Sequence, residues 1–262
     1  LKIVIRIYDG VFRDYDDASS NFDKKNTWHT KLYENNQKKI IKKTVQCINN
    51  NKEIPTLYKQ HSQYLTFLTS AVYKKNKKLK ILDFGGGWGV GYANILESNS
   101  KDIINDLDYT IYDIENICDL GEKYFKSKIK PKKNIRFTSS ISDLKKNHYD
   151  IVFLGSSLQY VNNYKKTLNI IKKLNARYIL MVDVYAGEIS TFCSLQNYYD
   201  FKMPHWFLNI SELKNIFSKN YKMLNKSYAH TTRLNKLGMP DMSHFKKKYR
   251  LNNSINLLYV KK

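Results

Sequence analysis

Lys80–Gly91 reads KILDFGGGWGVG. A short apolar stretch, Ile81 and Leu82, ends at the carboxylate of Asp83, and the chain then turns through Gly85, Gly87 and Gly89 into a segment of helical character beginning near Tyr92. Strand, acid, glycine turn and helix in that order predict a ligand cradle. Glycines let a ligand lie against the backbone, and the first turn of a helix offers unpaired N–H groups. A glycine turn with no ligand is the competing interpretation, since Gly is a common turn residue. The spacing excludes a dinucleotide fingerprint: G-x-G-x-x-G counted from Gly85 puts Val90 at its last glycine, and counted from Gly86 puts Trp88 at its second. The residues do satisfy Asp-x-Gly-x-Gly-x-Gly, from Asp83 to Gly89.

Four further apolar runs follow at intervals. YTIY (Tyr109–Tyr112) stops at Asp113, and IRFTSS (Ile135–Ser140) is followed by Ile141 and Asp143. Ile151–Leu154 is apolar throughout, as befits a strand covered on both faces, and opens into Gly155 and Ser156; ARYILMVDVYAG runs into Asp183. Five such runs in order, separated by helical spacers, predict an α/β fold with a parallel sheet. Such a sheet sets Asp113 beside the first glycine turn, where a carboxylate can accept both hydroxyls of a ribose.

This succession resembles the class I S-adenosylmethionine-dependent methyltransferases. The resemblance implies an α/β, Rossmann-like, seven-stranded and mostly parallel sheet with helices on both faces, plus an N-terminal helical arm. It implies S-adenosylmethionine as cofactor and S-adenosylhomocysteine as product. Asp83, Gly85, Gly86, Gly87, Asp113, Ile114, Gly155 and Ser156 fall at its cofactor-binding positions, and Ser140 and Ile141 fall around the adenine. More narrowly, LDFGGGWG with the GSSLQYV strand end and the arm from Val11 to Lys80 is similar to a methyltransferase family found among bacterial surface-polysaccharide genes. That likeness implies a cytoplasmic enzyme acting on a small sugar-related metabolite in capsule or lipooligosaccharide synthesis. Gln159 and Tyr160 then line the methyl channel, with Trp28 and His29 of the arm on the substrate side. Relatives often carry Glu at the second strand end, where this chain has Asp113 with Glu115 two residues on; either acid can hold the ribose.

The hydrophobic period organises the remainder. LKIVIRIYDG alternates as a strand does, and Ile41, Val45, Ile48 and then Leu65, Leu68, Val72 recur at helical spacing on either side of NNNKEIP, where Pro55 suits a helix start. Asp14–His29 is polar with isolated aromatics, a loop or short helix that either packs as part of the N-terminal arm, the favoured reading, or folds over the pocket as a lid. The chain thus divides into a strand and helical arm over residues 1–78 and a cofactor-binding catalytic domain over 79–262. After Asp183 the pattern becomes less regular, then predicts a helix over Ser211–Phe217 and two edge strands in YKMLNKSYAH and SINLLYV. The excursion between those strands, near 231–253, is an insertion suited to substrate binding.

Composition narrows the partners. The formal charge is +22, but 39 of the 45 basic residues are Lys and only 6 are Arg, the residue that reads phosphate and guanine bidentately. The Lys pairs are scattered as solvated faces, which argues against a nucleic-acid partner and for a small acceptor, anionic or nucleotide-linked. An RNA methyltransferase is the alternative, and a non-catalytic scaffold of the same fold a second. No apolar run reaches membrane-spanning length. Cys47, Cys118 and Cys193 are few, odd in number and far apart, which predicts reduced structural thiols; no metal-ligand spacing is present.

An oxygen acceptor needs a general base, because a sugar hydroxyl hardly ionises near neutrality. Of His29, His61, His148, His205, His230 and His244, the sequence position favours His205, in KMPHWF after the fifth strand, with Asp183 as second candidate or as an orienting acceptor; His29 and His244 stay open through the arm and the insertion, and His148 before the fourth strand reads as surface. Packing of His205 beside Trp206 is the structural alternative.

Overall fold

The computed structural model describes residues 6–21, 28, 30–59, 61–130, 134–198, 201–229, 232–233, 236–237 and 242–262. The chain opens with β1 (Tyr8–Phe12) and α1 (Tyr15–Ser19), followed by α2 (Lys31–Asn49), α3 (Thr56–Lys59) and α4 (Gln63–Val72). Strands and helices then alternate through β2 (Leu79–Phe84), α5 (Val90–Ser98), α6 (Lys101–Asp106), β3 (Leu107–Tyr112), α7 (Glu115–Gly121) and β4 (Ile135–Thr138). The alternation continues with α8 (Ile141–Lys145), β5 (Ile151–Gly155), α9 (Tyr164–Lys173) and β6 (Tyr178–Val184). The last third comprises β7 (Ala186–Gly187), β8 (Phe192–Tyr198), β9 (Phe201–Asn209), α10 (Ile210–Phe217), β10 (Tyr221–Tyr228), β11 (Thr232–Arg233), β12 (Lys236–Leu237) and β13 (Ile255–Lys261).

Seven strands form one sheet in the order β10-β13-β6-β5-β2-β3-β4. Pairing is parallel from β4 to β6, while β13 runs antiparallel to both β6 and β10. The central strands β2, β3, β5 and β6 are buried on both faces, and their side chains alternate between two cores as the pleat requires. Leu82, Val152, Leu154, Ile179 and Met181 pack with α9 and α10. Ile81, Ile111, Ile151, Phe153, Leu180 and Val182 pack on the other face with α5 and with Tyr33, Ile41, Val45 and Leu65 of α2 and α4. The apolar stripe read at Ile41, Val45 and Ile48 is therefore the seam by which the arm joins the sheet. Thr30 caps α2, accepting a bond from the N–H of Tyr33.

The structure amends several readings. The helix after the glycine turn begins at Val90, and the strand before Ile141 ends at Thr138, leaving Ser140 to cap α8 through Asp143 N–H. β1 starts only at Tyr8; residues 1–5 lie outside the described residues. The stretch after Asp183 is not irregular: β8 and β9 form a long antiparallel pair and, with β1 and β7, a second sheet in the order β1-β8-β9-β7. Alternation is missing there because six consecutive residues of β9 are buried, so neither face is polar. Within the excursion, Met242, Phe245 and Leu251 pack against Phe192 and Phe207 under this sheet. Cys47, Cys118 and Cys193 are unpaired and buried. Among the described residues, no helix is long and apolar enough to cross a membrane.

Candidate functional site

From β2 the chain moves outward to β3 and β4, then returns to the other side of β2 as β5. Crossovers leaving in opposite directions open a crevice beyond the strand ends, the usual place for ligands in open α/β sheets. A cleft of about 540 Å3 lies there. Phe84, Gly85 and Gly87 line it from the first strand end, Tyr112, Asp113, Ile114 and Ile117 from the second, and Gly155, Ser156 and Ser157 from the end of β5. Tyr160, Trp28, Tyr33, Tyr198 and His61 complete its outer wall. A larger hollow of about 870 Å3 sits among α2, α5 and α6 away from these strand ends, and its Lys59 is bridged to Glu53 and Glu97.

The glycines of the turn serve different needs. Gly85 has φ +73°, and a Cβ there would lie 2.4 Å from the Cβ of Ser157, whose hydroxyl donates to the carbonyl of Phe84 at 2.7 Å. Gly85 is thus where the β2 and β5 loops touch. Gly85→Ala combines left-handed strain with displacement of Ser157 and should cost roughly 2–3 kcal/mol. The loss will show as a lower urea midpoint; an unchanged midpoint would contradict the contact. Gly87, at φ +59°, has no heavy atom within 4 Å of its Cβ position. Its missing side chain leaves open space in the cleft, a cradle for a ligand rather than room for a neighbour.

Gly86 and Gly91 are small for another reason, since their Cβ positions lie 2.5 Å and 2.8 Å from atoms of the Asp83 carboxyl. Asp83 therefore sits beneath the turn, not in the cleft wall. It accepts a bond from the Tyr109 hydroxyl at 2.7 Å. Burial pushes its pKa up to about 7, with the Tyr109 bond opposing and the charge of Asp113 adding. Asp113 does line the cleft. Its carboxylate takes the N–H of Gly87 at 2.9 Å and that of Ile114 at 2.8 Å, so it ties the second strand end to the glycine turn. Burial raises its pKa, and those two bonds oppose the rise.

A second polar cluster occupies the ends of β5 and β6. Ser156 and Asp183 are non-glycine residues at φ +54° and +57°, a backbone region that costs of order 1–3 kcal/mol each. They face one another, Ser156 Oγ donating to Asp183 Oδ2 at 2.9 Å. Gln159 Nε2 donates to Ser156 Oγ at 2.9 Å, Ser254 Oγ donates to Asp183 Oδ1, and Asp183 N–H donates to Asn256 Oδ1 at 3.0 Å. His61, at the entry to α4, brings Nδ1 to 3.8 Å from Asp183 Oδ2. The His61 side chain is 34% exposed and that of Asp183 1%.

The residues expected from the sequence thus separate into three groups. Trp28, Gly85, Gly87, Asp113, Ile114, Gly155, Ser156 and Tyr160 line the cleft. Asp83, Gly86, Gln159 and Asp183 lie one layer beneath and support it. Ser140 and Ile141 belong to the cap and first turn of α8 and do not form the cleft wall; Ile141 packs on the α9 core. His205 is wholly buried in β9, its ring 4.3 Å from that of Tyr185 and 5.3 Å from that of Tyr160. It stands behind Tyr160 and not in the wall, packed among Tyr8, Tyr185 and Phe207 and not beside Trp206, whose ring turns to the opposite face against Tyr164. His244 Nε2 lies 3.0 Å from the Tyr8 carbonyl, and His29 lies outside the described residues.

His61, Phe84 and Tyr112 also belong to this site, though the chain order alone assigns them no role. The two aromatics stack at 4.7 Å beside the glycine turn, and their place next to the two strand-end acids was an available signal. His61 carried none, because 122 positions separate it from Asp183.

No family model and no curated protein matches the chain. Among solved structures, it is similar to magnesium protoporphyrin IX methyltransferase from Synechocystis PCC 6803, with bound S-adenosylhomocysteine. That likeness has a TM-score of 0.50 and 11% identity, over 90% of this chain and 96% of the other. An S-adenosylmethionine-dependent methyltransferase from Clostridium acetobutylicum ATCC 824 aligns with a TM-score of 0.45 and 12% identity, over 78% of this chain and 91% of the other. The YcgJ protein from Bacillus subtilis aligns at 0.47 and 13%, over 76% and 98%. Together with the strand order, the Synechocystis likeness places this chain in the class I methyltransferase fold.

Proposed function

We propose that the protein is an S-adenosylmethionine-dependent methyltransferase, acting in the cytoplasm to O-methylate a small sugar-related or nucleotide-linked metabolite for surface-polysaccharide synthesis. One observation carries the donor half of this reading: Gly87 in a left-handed turn with open space before it, beside a carboxylate that faces the cleft. A ribose needs a fixed pair of acceptor oxygens, and Asp113 supplies them while its own orientation is held by two backbone N–H groups. Tyr112, Ile114 and Ile117 provide an apolar wall for the adenine, in place of Ser140 and Ile141. Gly155 and Ser156 border the end of the cleft nearest Tyr160 and Trp28.

When bound, S-adenosylmethionine supplies a methyl group made electrophilic by the sulfonium and leaves as S-adenosylhomocysteine. The protein's part is to hold the acceptor in line, exclude water and accept a proton. The acceptor side of the cleft is aromatic. Trp28 meets the rings of Tyr33, Tyr160 and Tyr198 edge-on at 5.3, 5.4 and 5.8 Å. Such walls suit the C–H face of a sugar ring while the ring hydroxyls stay available for specific bonds.

Calorimetry with S-adenosylhomocysteine tests the donor assignment. One molecule should bind per chain, in about the micromolar range. No binding at millimolar ligand would overturn it. Tight binding of mixed RNA that survives physiological salt would replace the small acceptor with a polynucleotide.

A further inference from the structure

We infer that His61 is the general base of the site, with Asp183 as its positioning residue, and that the acceptor group is therefore a hydroxyl. The inference rests on the methyl-transfer reading. Three observations carry it. His61 is the histidine among the described residues that lines the cleft, beside Gly155, its Cβ 3.7 Å from that glycine's Cβ position. Its Nδ1 faces a carboxylate that is almost wholly buried and already held by Ser156 and Ser254. That carboxylate is presented by a strained left-handed backbone, in contact with a second left-handed residue, Ser156. Strain of this kind survives where the surroundings over-determine it, characteristically at functional sites.

A carboxylate on Nδ1 sets the tautomer. It favours the proton on Nδ1 and leaves Nε2 as the basic nitrogen, and it stabilises the imidazolium once Nε2 has taken up a proton. The gap of 3.8 Å is longer than a hydrogen bond; such pairs commonly tighten when a substrate closes the site. In the reaction, the acceptor oxygen gives its proton to Nε2 as its lone pair forms the bond to the methyl carbon. The carbon–sulfur electron pair departs with sulfur, so one positive charge disappears from sulfur and one appears on His61. Neither a carboxylate acceptor, already anionic, nor an amine, with its own lone pair, needs this apparatus. A hydroxyl does.

The first test needs neither acceptor nor cofactor. In the full-length protein with 15N-labelled histidines, neutral His61 should carry its proton on Nδ1. It should also hold its second proton about tenfold more tightly than in Asp183→Asn. Asp183 faces the ring from beneath the cleft, and Asp113 is the carboxylate among the described residues that lines the cleft itself, so Asp113→Asn is the control and should move His61 less. Ser254→Ala keeps the carboxylate but removes one of its donors, and serves if Asp183→Asn fails to fold; the Nδ1 tautomer should then weaken detectably. Identical tautomer and titration in the parent and in the variant that folds would overturn the pairing.

The second test uses methyl-labelled S-adenosylmethionine with a deproteinised extract of the source cells. Label should enter a product stable to alkali and not retained by a cation exchanger. His61→Ala should reduce the labelling at least about hundredfold while S-adenosylhomocysteine affinity stays unchanged. Label in an alkali-labile ester or a cationic amine, or full labelling by His61→Ala, would overturn the inference. Loss of S-adenosylhomocysteine binding by the parent would instead count against the methyl-transfer reading, leaving the ligand-free titration as it was.

Discussion

Asp113→Ala should weaken S-adenosylhomocysteine binding by about hundredfold or more, roughly 2.7 kcal/mol. The carboxylate does two things at once. It draws the Gly87 N–H across from the first strand end at 2.9 Å, and it presents the remaining acceptor capacity of its oxygens to the cleft. Alanine leaves the Gly87 N–H without that partner and the ribose hydroxyls without acceptors, and sites built for a hydroxyl lose steeply when the pairing fails. Asp113→Asn retains an acceptor oxygen but no charge and should fall between, at about tenfold. The folded protein should tolerate either change, because burial already holds the Asp113 carboxyl above its ordinary range. Calorimetry paired with melting curves separates the outcomes: the ligand-free melting point should move little, and the rise on adding ligand should vanish. An Asp113→Ala protein that binds as the parent does would remove Asp113 from the ribose.

The stability of the protein should fall as the pH rises from about 4 to about 7, and Asp83 is the group responsible. The unfolded chain releases this proton near the ordinary value of 3.8, whereas the folded chain keeps it until about 7. Between those limits the folded state binds more protons, so its advantage is complete below about 4 and is lost as pH climbs through 7. Roughly three pH units at about 1.4 kcal/mol each amount to as much as about 4 kcal/mol. The cause is position. The carboxyl fills the space that side chains at Gly86 and Gly91 would occupy, away from water, with the Tyr109 hydroxyl as donor. Asp83→Asn cannot ionise, so urea unfolding should show the variant more stable than the parent at pH 8 and about equal at pH 3.5. A parent and variant that keep the same stability difference at both values would refute this account.

Much of the fold was legible in the chain. Apolar runs ending at Asp83, Asp113, Gly155 and Asp183 correspond to β2, β3, β5 and β6, because strands buried on both faces must be apolar throughout. The β8–β9 pair escaped for the complementary reason. It carries Pro204 and His205 in a segment with no polar face, and its partner β1 lies near residue 10, so neither alternation nor neighbourhood marked it. The histidines divide on the same ground. His205 looked well placed by chain order, yet the sheet to which it belongs turns it into an aromatic interior beside Tyr8, Tyr185 and Phe207.

The sequence by itself determined the glycine-turn side of the cleft, because the turn from Asp83 to Gly89 is local. Left-handed φ values at Gly85, Gly87 and Gly89 and the packing of Asp83 under Gly86 and Gly91 are short-range demands that leave their mark as residue types at fixed spacing. The tertiary structure decided which residues meet on the other side of the cleft. Trp28 and His61 from the arm, Asp183 from β6, Tyr198 from β8 and Ser254 from just before β13 meet only when the sheet closes its order. No periodicity or spacing relates residues so far apart in the chain, and their contact exists only as geometry.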